Sequence, residues 1–147
     1  MSNEHHHHEE NFIQKYIFSV DHKTIGLQYG ITSLFFLLFG FILMIIMRYQ
    51  LAYPEQVIPY IGNLFFSESG GVMLPENYNT LGAMHGTIMI FLGVVPLAVG
   101  AFGNYLVPLQ IGAPDMAFPK LNALAFWLVP VFSIVLLASF FVPGGPA

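Results

Sequence analysis

The chain has no cysteine and very little charge. Of its 147 residues only four are Lys or Arg and eight are Asp or Glu, so 8% carry a formal charge, against roughly 25% in soluble globular proteins. Each shortage excludes something. Without Cys there is no disulfide framework, no thiolate metal site and no covalent c-type haem attachment. The redox compartment stays open, because membrane proteins do not need disulfides. Four cations cannot neutralise a track of phosphates, which excludes nucleic-acid binding. What the chain has instead is apolar: 56% hydrophobic residues, 16% aromatics and fifteen Phe, with a mean hydropathy of +0.69. That balance excludes disorder. It also excludes an ordinary soluble domain, although the length alone would suit one. The composition is that of an integral membrane protein, or of a piece of one.

The charges are absent in three places. No Asp, Glu, Lys or Arg occurs between Lys23 and Arg48, between Glu76 and Asp115, or after Lys120. Each gap is long enough for a membrane-crossing helix, which needs about 20 apolar residues. The expected spans are Leu27 to Met47, Thr80 to Leu109 and Leu121 to Val142. The first is an uncleaved anchor, since the residues before it are too polar and too many for a signal peptide. Lys15, Lys23 and Lys120 fall on one side if the chain threads in–out–in–out. The positive-inside rule makes that side cytoplasmic, with the N-terminus inside and membrane lipid around all three spans. Arg48 is the exception, at the outer end of span one, and Tyr49 to Asn79 is then an external stretch. Its prolines and glycines predict an irregular loop that packs on a larger assembly.

Residues 1–11 form a polar tail in which Glu4, Glu9 and Glu10 flank His5 to His8. Weak metal binding, an expression remnant and a solvated terminus without a role are the readings open to it, the last being favoured. From residue 12 to 147 the chain reads as one membrane unit. It opens with a short interfacial amphipathic segment carrying Phe12, Ile13, Tyr16, Ile17 and Phe18.

The polar residues inside the spans are the functional candidates. His85 is the one ionisable group within span two, and leaving it unpaired in lipid costs several kcal/mol. Neutral imidazole is a good axial ligand for haem iron. A hydrogen bond to a neighbouring helix satisfies it equally well. Gly82, Gly86, Gly93 and Gly100 fall within about 40° of one another on a 3.6-residue helix. The groove they make suits a packed helix or a flat macrocycle, and Pro96 predicts a kink with a freed carbonyl. Arg48 either snorkels to the interface or meets a partner such as a haem substituent. Asp115, in the inner loop from Ile111 to Pro119, is either a proton collector or a capping residue. Asn104 and Asn122, on the adjoining ends of spans two and three, are placed to hold water.

The runs DHKTIG (Asp21–Gly26), MHGTIMIF (Met84–Phe91), GNYLVPLQIGAPDMAFPKLN (Gly103–Asn122) and FWLVP (Phe126–Pro130) closely resemble subunit I of the haem–copper oxidases, in the cytochrome c oxidase branch with a D-type proton pathway. The resemblance covers residues 12 to 147 and is weakest in the external loop. It implies an all-α membrane protein whose three transmembrane helices form the first part of a twelve-helix bundle, in a bacterial cytoplasmic membrane. Position by position, it implies that His85 is an axial ligand of the low-spin haem a iron. Arg48 would bond the haem formyl group and Tyr78 would lie close to the haem. Asp115 would open the D pathway, with Asn104 and Asn122 holding its first waters. The implied partners are the rest of subunit I, other oxidase subunits including the copper-A subunit, and cytochrome c as electron donor.

Two departures qualify this. The copper-B histidines, the high-spin haem ligand and the second haem a ligand lie in the family beyond the length present here. The 147 residues alone are therefore expected to be inactive, as an amino-terminal fragment or split-gene product. The metal-binding Glu that many relatives carry just after the Arg falls at Gln50, against a peripheral calcium or sodium site. Positions that mark a quinone site in quinol-oxidising relatives are Phe39, Leu43, Asn77 and Thr80 here, which favours cytochrome c as donor. A quinol oxidase and a non-catalytic three-span membrane scaffold are the alternatives.

Overall fold

The structure, a computed structural model, describes residues 12–142. The polar tail 1–11 with its His tract, and the segment 143–147, lie outside the described residues. Six α-helices follow in order: α1 (Phe12–Tyr16), α2 (His22–Ala52), α3 (Gly62–Phe65), α4 (Pro75–Thr87), α5 (Gly103–Ile111) and α6 (Pro119–Ala138). Two π-helical stretches, Ile88–Val94 and Pro96–Phe102, join α4 to α5 without a break. Three rods are long and apolar enough to cross a membrane: His22–Ala52, Pro75–Ile111 and Pro119–Phe141. The described residues are thus all-helical, apart from one isolated bridge between Val57 and Val72.

The rods run past the apolar stretches expected from the sequence, because hydropathy marks the hydrocarbon whereas caps set helix ends. Asp21 caps α2: its carboxylate accepts from the Thr24 backbone N–H and hydroxyl, each at 3.1 Å, which satisfies an orphan donor of the first turn. Pro75 and Pro119 open α4 and α6, where a missing N–H costs nothing. Gly112, at φ 69°, ends α5, and the Ala113 N–H turns back to the Pro108 carbonyl at 2.9 Å.

Pro96 widens its helix instead of breaking it. With i→i+5 bonding the turn holds one more residue, and the Val95 N–H reaches the Ile90 carbonyl. This is a way of absorbing a residue that brings no donor to the ladder.

Small residues on both sides let α2 and the second rod approach closely. A Cβ on Gly100 would meet the Tyr29 ring at 2.5 Å, one on Gly93 the Leu37 Cδ2 at 2.6 Å, and one on Gly82 the Met47 Cε at 3.3 Å. From the other side, a Cβ on Gly40 would lie 2.6 Å from the Met89 sulfur. Three of the four stripe glycines are therefore helix-packing surface. Only Gly86 faces open space, with no neighbouring atom within 4 Å.

The third rod is lightly held. In its most apolar window 11% of residues are buried, against 28% and 33% in the other two, so most of its surface waits for lipid or further helices. Near its start Phe126 meets Tyr29 edge-on at 5.1 Å and Trp127 stacks on Phe18 at 5.0 Å, and toward its end Leu136, Leu137 and Phe140 pack against the core that holds Leu43, Met47 and Leu81.

The external loop departs from expectation by being organised. The Ile58 N–H bonds the Gly71 carbonyl at 3.0 Å. A Cβ on Gly62 would sit 2.5 Å from that same oxygen, so glycine is required there. Ile58, Phe66 and Met73 are buried with Met47 and Leu81. The loop thus folds back over the outer ends of its own helices, the area that apolar burial favours.

Candidate functional site

Two buried polar places stand out, one toward each end of the bundle. Nearer the outer loop, α4 holds Tyr78, Gly82 and His85 at i, i+4 and i+7, one stripe of a regular helix. His85 is half-buried, and its Nδ1 lies 2.9 Å from the Gly40 carbonyl of α2. A carbonyl can only accept, so Nδ1 is assigned the hydrogen and Nε2 keeps its lone pair. The bond exists because Gly40 has no side chain to hold the rods apart. Gly86, the next residue along α4, leaves open space where any other residue would project. A fixed imidazole with a free nitrogen next to open space is the donor chemistry of a metal ligand, and the residues present fit an axial role on a haem iron.

Arg48 is exposed on α2. The antiparallel register that pairs Met47 with Gly82 and Leu37 with Gly93 sets it at the level of Gly82, about one turn outward of His85. Eleven residues separate Leu37 from Arg48, which returns to the same stripe of α2. Arg48 is therefore on the flank of α2 that meets the stripe glycines. Tyr78 is half-buried and lines an outer cavity of about 490 Å³ together with Gln50, Glu55 and Asn79. Gln50 Oε1 is buried there without a partner.

The inner place was only half legible in the sequence. Asn104 is 5% exposed. Its Nδ2 donates to the Gly100 carbonyl at 2.7 Å, and its Oδ1 is buried with no partner. Asn122, at the start of α6, buries its Nδ2 without a partner as well. One orphan acceptor and one orphan donor make a setting for ordered water, because an unmet buried polar atom costs about 1–3 kcal/mol. Asp115 is half-buried in the loop between α5 and α6, and its Oδ1 accepts the Met116 N–H at 2.7 Å. Sequence reasoning missed His22. It is 1% exposed, with Nδ1 2.9 Å from the Asn104 carbonyl. The available signal was its place directly after the capping Asp21, which fixes the start of α2 and swings His22 inward. Also missed was Ser33, wholly buried with no partner for its hydroxyl. Among the described residues no three His, Asp or Glu side chains converge as metal ligands.

Comparison with known proteins gives a consistent answer. Residues 24–147 match the family described as cytochrome c and quinol oxidase polypeptide I. The chain is 49% identical over 132 residues to cytochrome c oxidase subunit 1 of Thermostichus vulcanus, covering 90% of this chain and 21% of that protein. It is 49% identical over 131 residues to the Synechocystis protein of the same name, covering 89% of this chain and 21% of that one. A probable cytochrome c oxidase subunit 1-alpha of Streptomyces avermitilis matches at 39% over 137 residues, 93% of this chain and 21% of the relative. The chain thus spans about a fifth of the length of these relatives.

Proposed function

The chain belongs to the cytochrome c and quinol oxidase polypeptide I family, and on that premise we propose that it carries one side of a low-spin haem site and the opening of a proton path in a proton-pumping terminal oxidase. The observation that carries the haem reading is the bond from His85 Nδ1 to the Gly40 carbonyl. It holds the ring in the tautomer and orientation that an axial ligand needs, and it makes Nε2 more basic. Gly86 keeps the adjoining wall open. Arg48, on the same flank, would donate to a polar haem substituent, and its positive charge would favour the reduced state. Tyr78 closes this region toward the outer cavity. When bound, the haem would supply reversible one-electron iron chemistry, and the high-spin haem and copper B would be held by parts of the subunit other than these residues.

Asp115 stands half-buried in the opposite loop, its Oδ1 accepting the Met116 N–H, and would take protons into the path from there. The orphan atoms of Asn104 and Asn122 would fix the first waters of a path leading inward. Electrons entering on the His85 side and protons on the Asp115 side meet inside, and each charge moved across the membrane stores about 2.3 kcal/mol per 100 mV. Cytochrome c is favoured as donor over a quinol. Leu43 is buried in the apolar core and Phe39 packs against it, so the α2 side of that place offers no polar grip for a quinone head. The deciding experiment is His85→Ala in the full-length oxidase. Loss of the low-spin haem absorbance with the high-spin haem retained is expected, and an unchanged haem spectrum removes the assignment.

A further inference from the structure

At the end of the bundle where α2 begins, a groove of about 250 Å³ runs between the N-terminal segment, α2 and α6, with Tyr16, Gln28, Ile31, Thr32, Trp127 and Pro130 among its walls. Specific contacts build it. Gln28 Nε2 donates to the carbonyls of Tyr16 and Ile17 at 2.6 and 2.9 Å, pinning the end of α1 against α2. Phe18 stacks on Trp127 at an interplanar angle of 19°, pinning the same segment against α6. The groove amide is thereby committed as a donor, and apart from the Thr32 hydroxyl the rest of the lining is apolar or aromatic.

Lys15 stands at the rim. It is exposed, and its Nζ lies 5.5 Å from the centroid of the Tyr16 ring that forms one wall. The nearby carboxylate of Asp21 is already engaged in capping α2. An apolar slot bordered by Tyr and Trp, with a cation at its mouth at the level where a helix leaves the hydrocarbon, matches a molecule with a charged head and an apolar tail. A docked peptide segment would instead need partners for its backbone polar groups, and the groove offers few.

We propose that this groove binds one anionic phospholipid of the adjacent leaflet, an acyl chain lying along Ile31, Thr32 and Pro130 and the phosphate on the Lys15 ammonium. Such a lipid would bridge α6 and α2 beside the Phe18–Trp127 contact. This site is independent of the haem.

The test uses the full-length oxidase in lipid nanodiscs containing either phosphatidylglycerol or phosphatidylcholine with a photoreactive group on one acyl chain, the cross-links being mapped by peptide mass spectrometry. Peptides containing Ile31, Thr32 and Pro130 are expected to label about five-fold more with phosphatidylglycerol, the ratio one lysine at an anionic surface provides. Lys15→Gln should reduce that labelling to the phosphatidylcholine level. Thr32→Trp, which fills the groove, should abolish it with either lipid while the haem absorbance reports an intact fold. Equal labelling by the two lipids in the wild type, labelling that survives Thr32→Trp, or no labelling because another helix or subunit covers the groove each overturns the proposal.

Discussion

The His85 region and the Asn104–Asn122 region are both polar islands in an apolar bundle, but their hydrogen bonds are arranged in opposite ways. At His85 one nitrogen is tied to Gly40 and the other is left free beside open space. At the inner end the asparagines keep buried atoms with no partner, while His22 is fully enclosed against the Asn104 carbonyl. On the proposed reading, the first pattern would serve a directional bond to one large ligand and the second exchangeable bonds to small ones. A membrane helix tolerates either only where the cost of the bare polar group is met by something bound.

The largest break in this contrast comes from His85→Ala, which should remove the low-spin haem band entirely from the full-length oxidase while leaving proton entry intact. Asp115→Asn is the reciprocal change. It should leave the haem spectrum unaltered and slow steady-state turnover and proton uptake by about 100-fold, the lower end of what a positioned proton-transfer group contributes. Normal proton uptake in that variant would return Asp115 to the role its Met116 bond already shows, a loop cap.

The glycine stripe sharpens the same division. Gly100→Ala forces a Cβ against the Tyr29 ring and should cost about 1–3 kcal/mol as overpacking. Gly86→Ala meets no atom of the described residues, so it should leave the α2 contact intact, and because its Cβ enters the space proposed for the haem it should perturb the low-spin haem band instead. Thermal inactivation of the two purified variants separates them, and equal effects would contradict the observed packing. Next in size, Arg48→Leu should lower the haem midpoint potential by roughly 60 mV, a tenfold shift for a one-electron couple, as read by spectroscopic redox titration. Ser33→Ala is the smallest. Removing a buried hydroxyl that has no partner should change stability by less than about 1 kcal/mol, in the stabilising direction.

His85 and Asn104 show how far the sequence reaches. The spans were legible because three charge-free stretches admit no other reading, and His85 was legible as the one histidine within span two. The bond that decides between its two readings joins residues 45 positions apart, and no local pattern encodes it. Asn104 was expected to hold water. That its Oδ1 is the orphan, with Nδ2 engaged by Gly100, follows from the turn preceding it. His22 escaped because a His at a helix start reads as exposed until the capping Asp21 and the approach of α5 are known. The external loop was read as irregular for a similar reason: its order rests on Gly62 and Gly71 packing backbone against backbone, which composition records only as glycine.

The sequence alone therefore determined the solvent, the number of crossings and the residue types available for chemistry, since the cost of charge in hydrocarbon leaves few options. Tertiary structure decided which polar atoms remain free. Three stripe glycines became packing surface and Gly86 stayed open, a difference set by where the second rod meets α2. A hydrogen bond 45 residues long in sequence is a property of that approach, and only the packed pair of helices contains it.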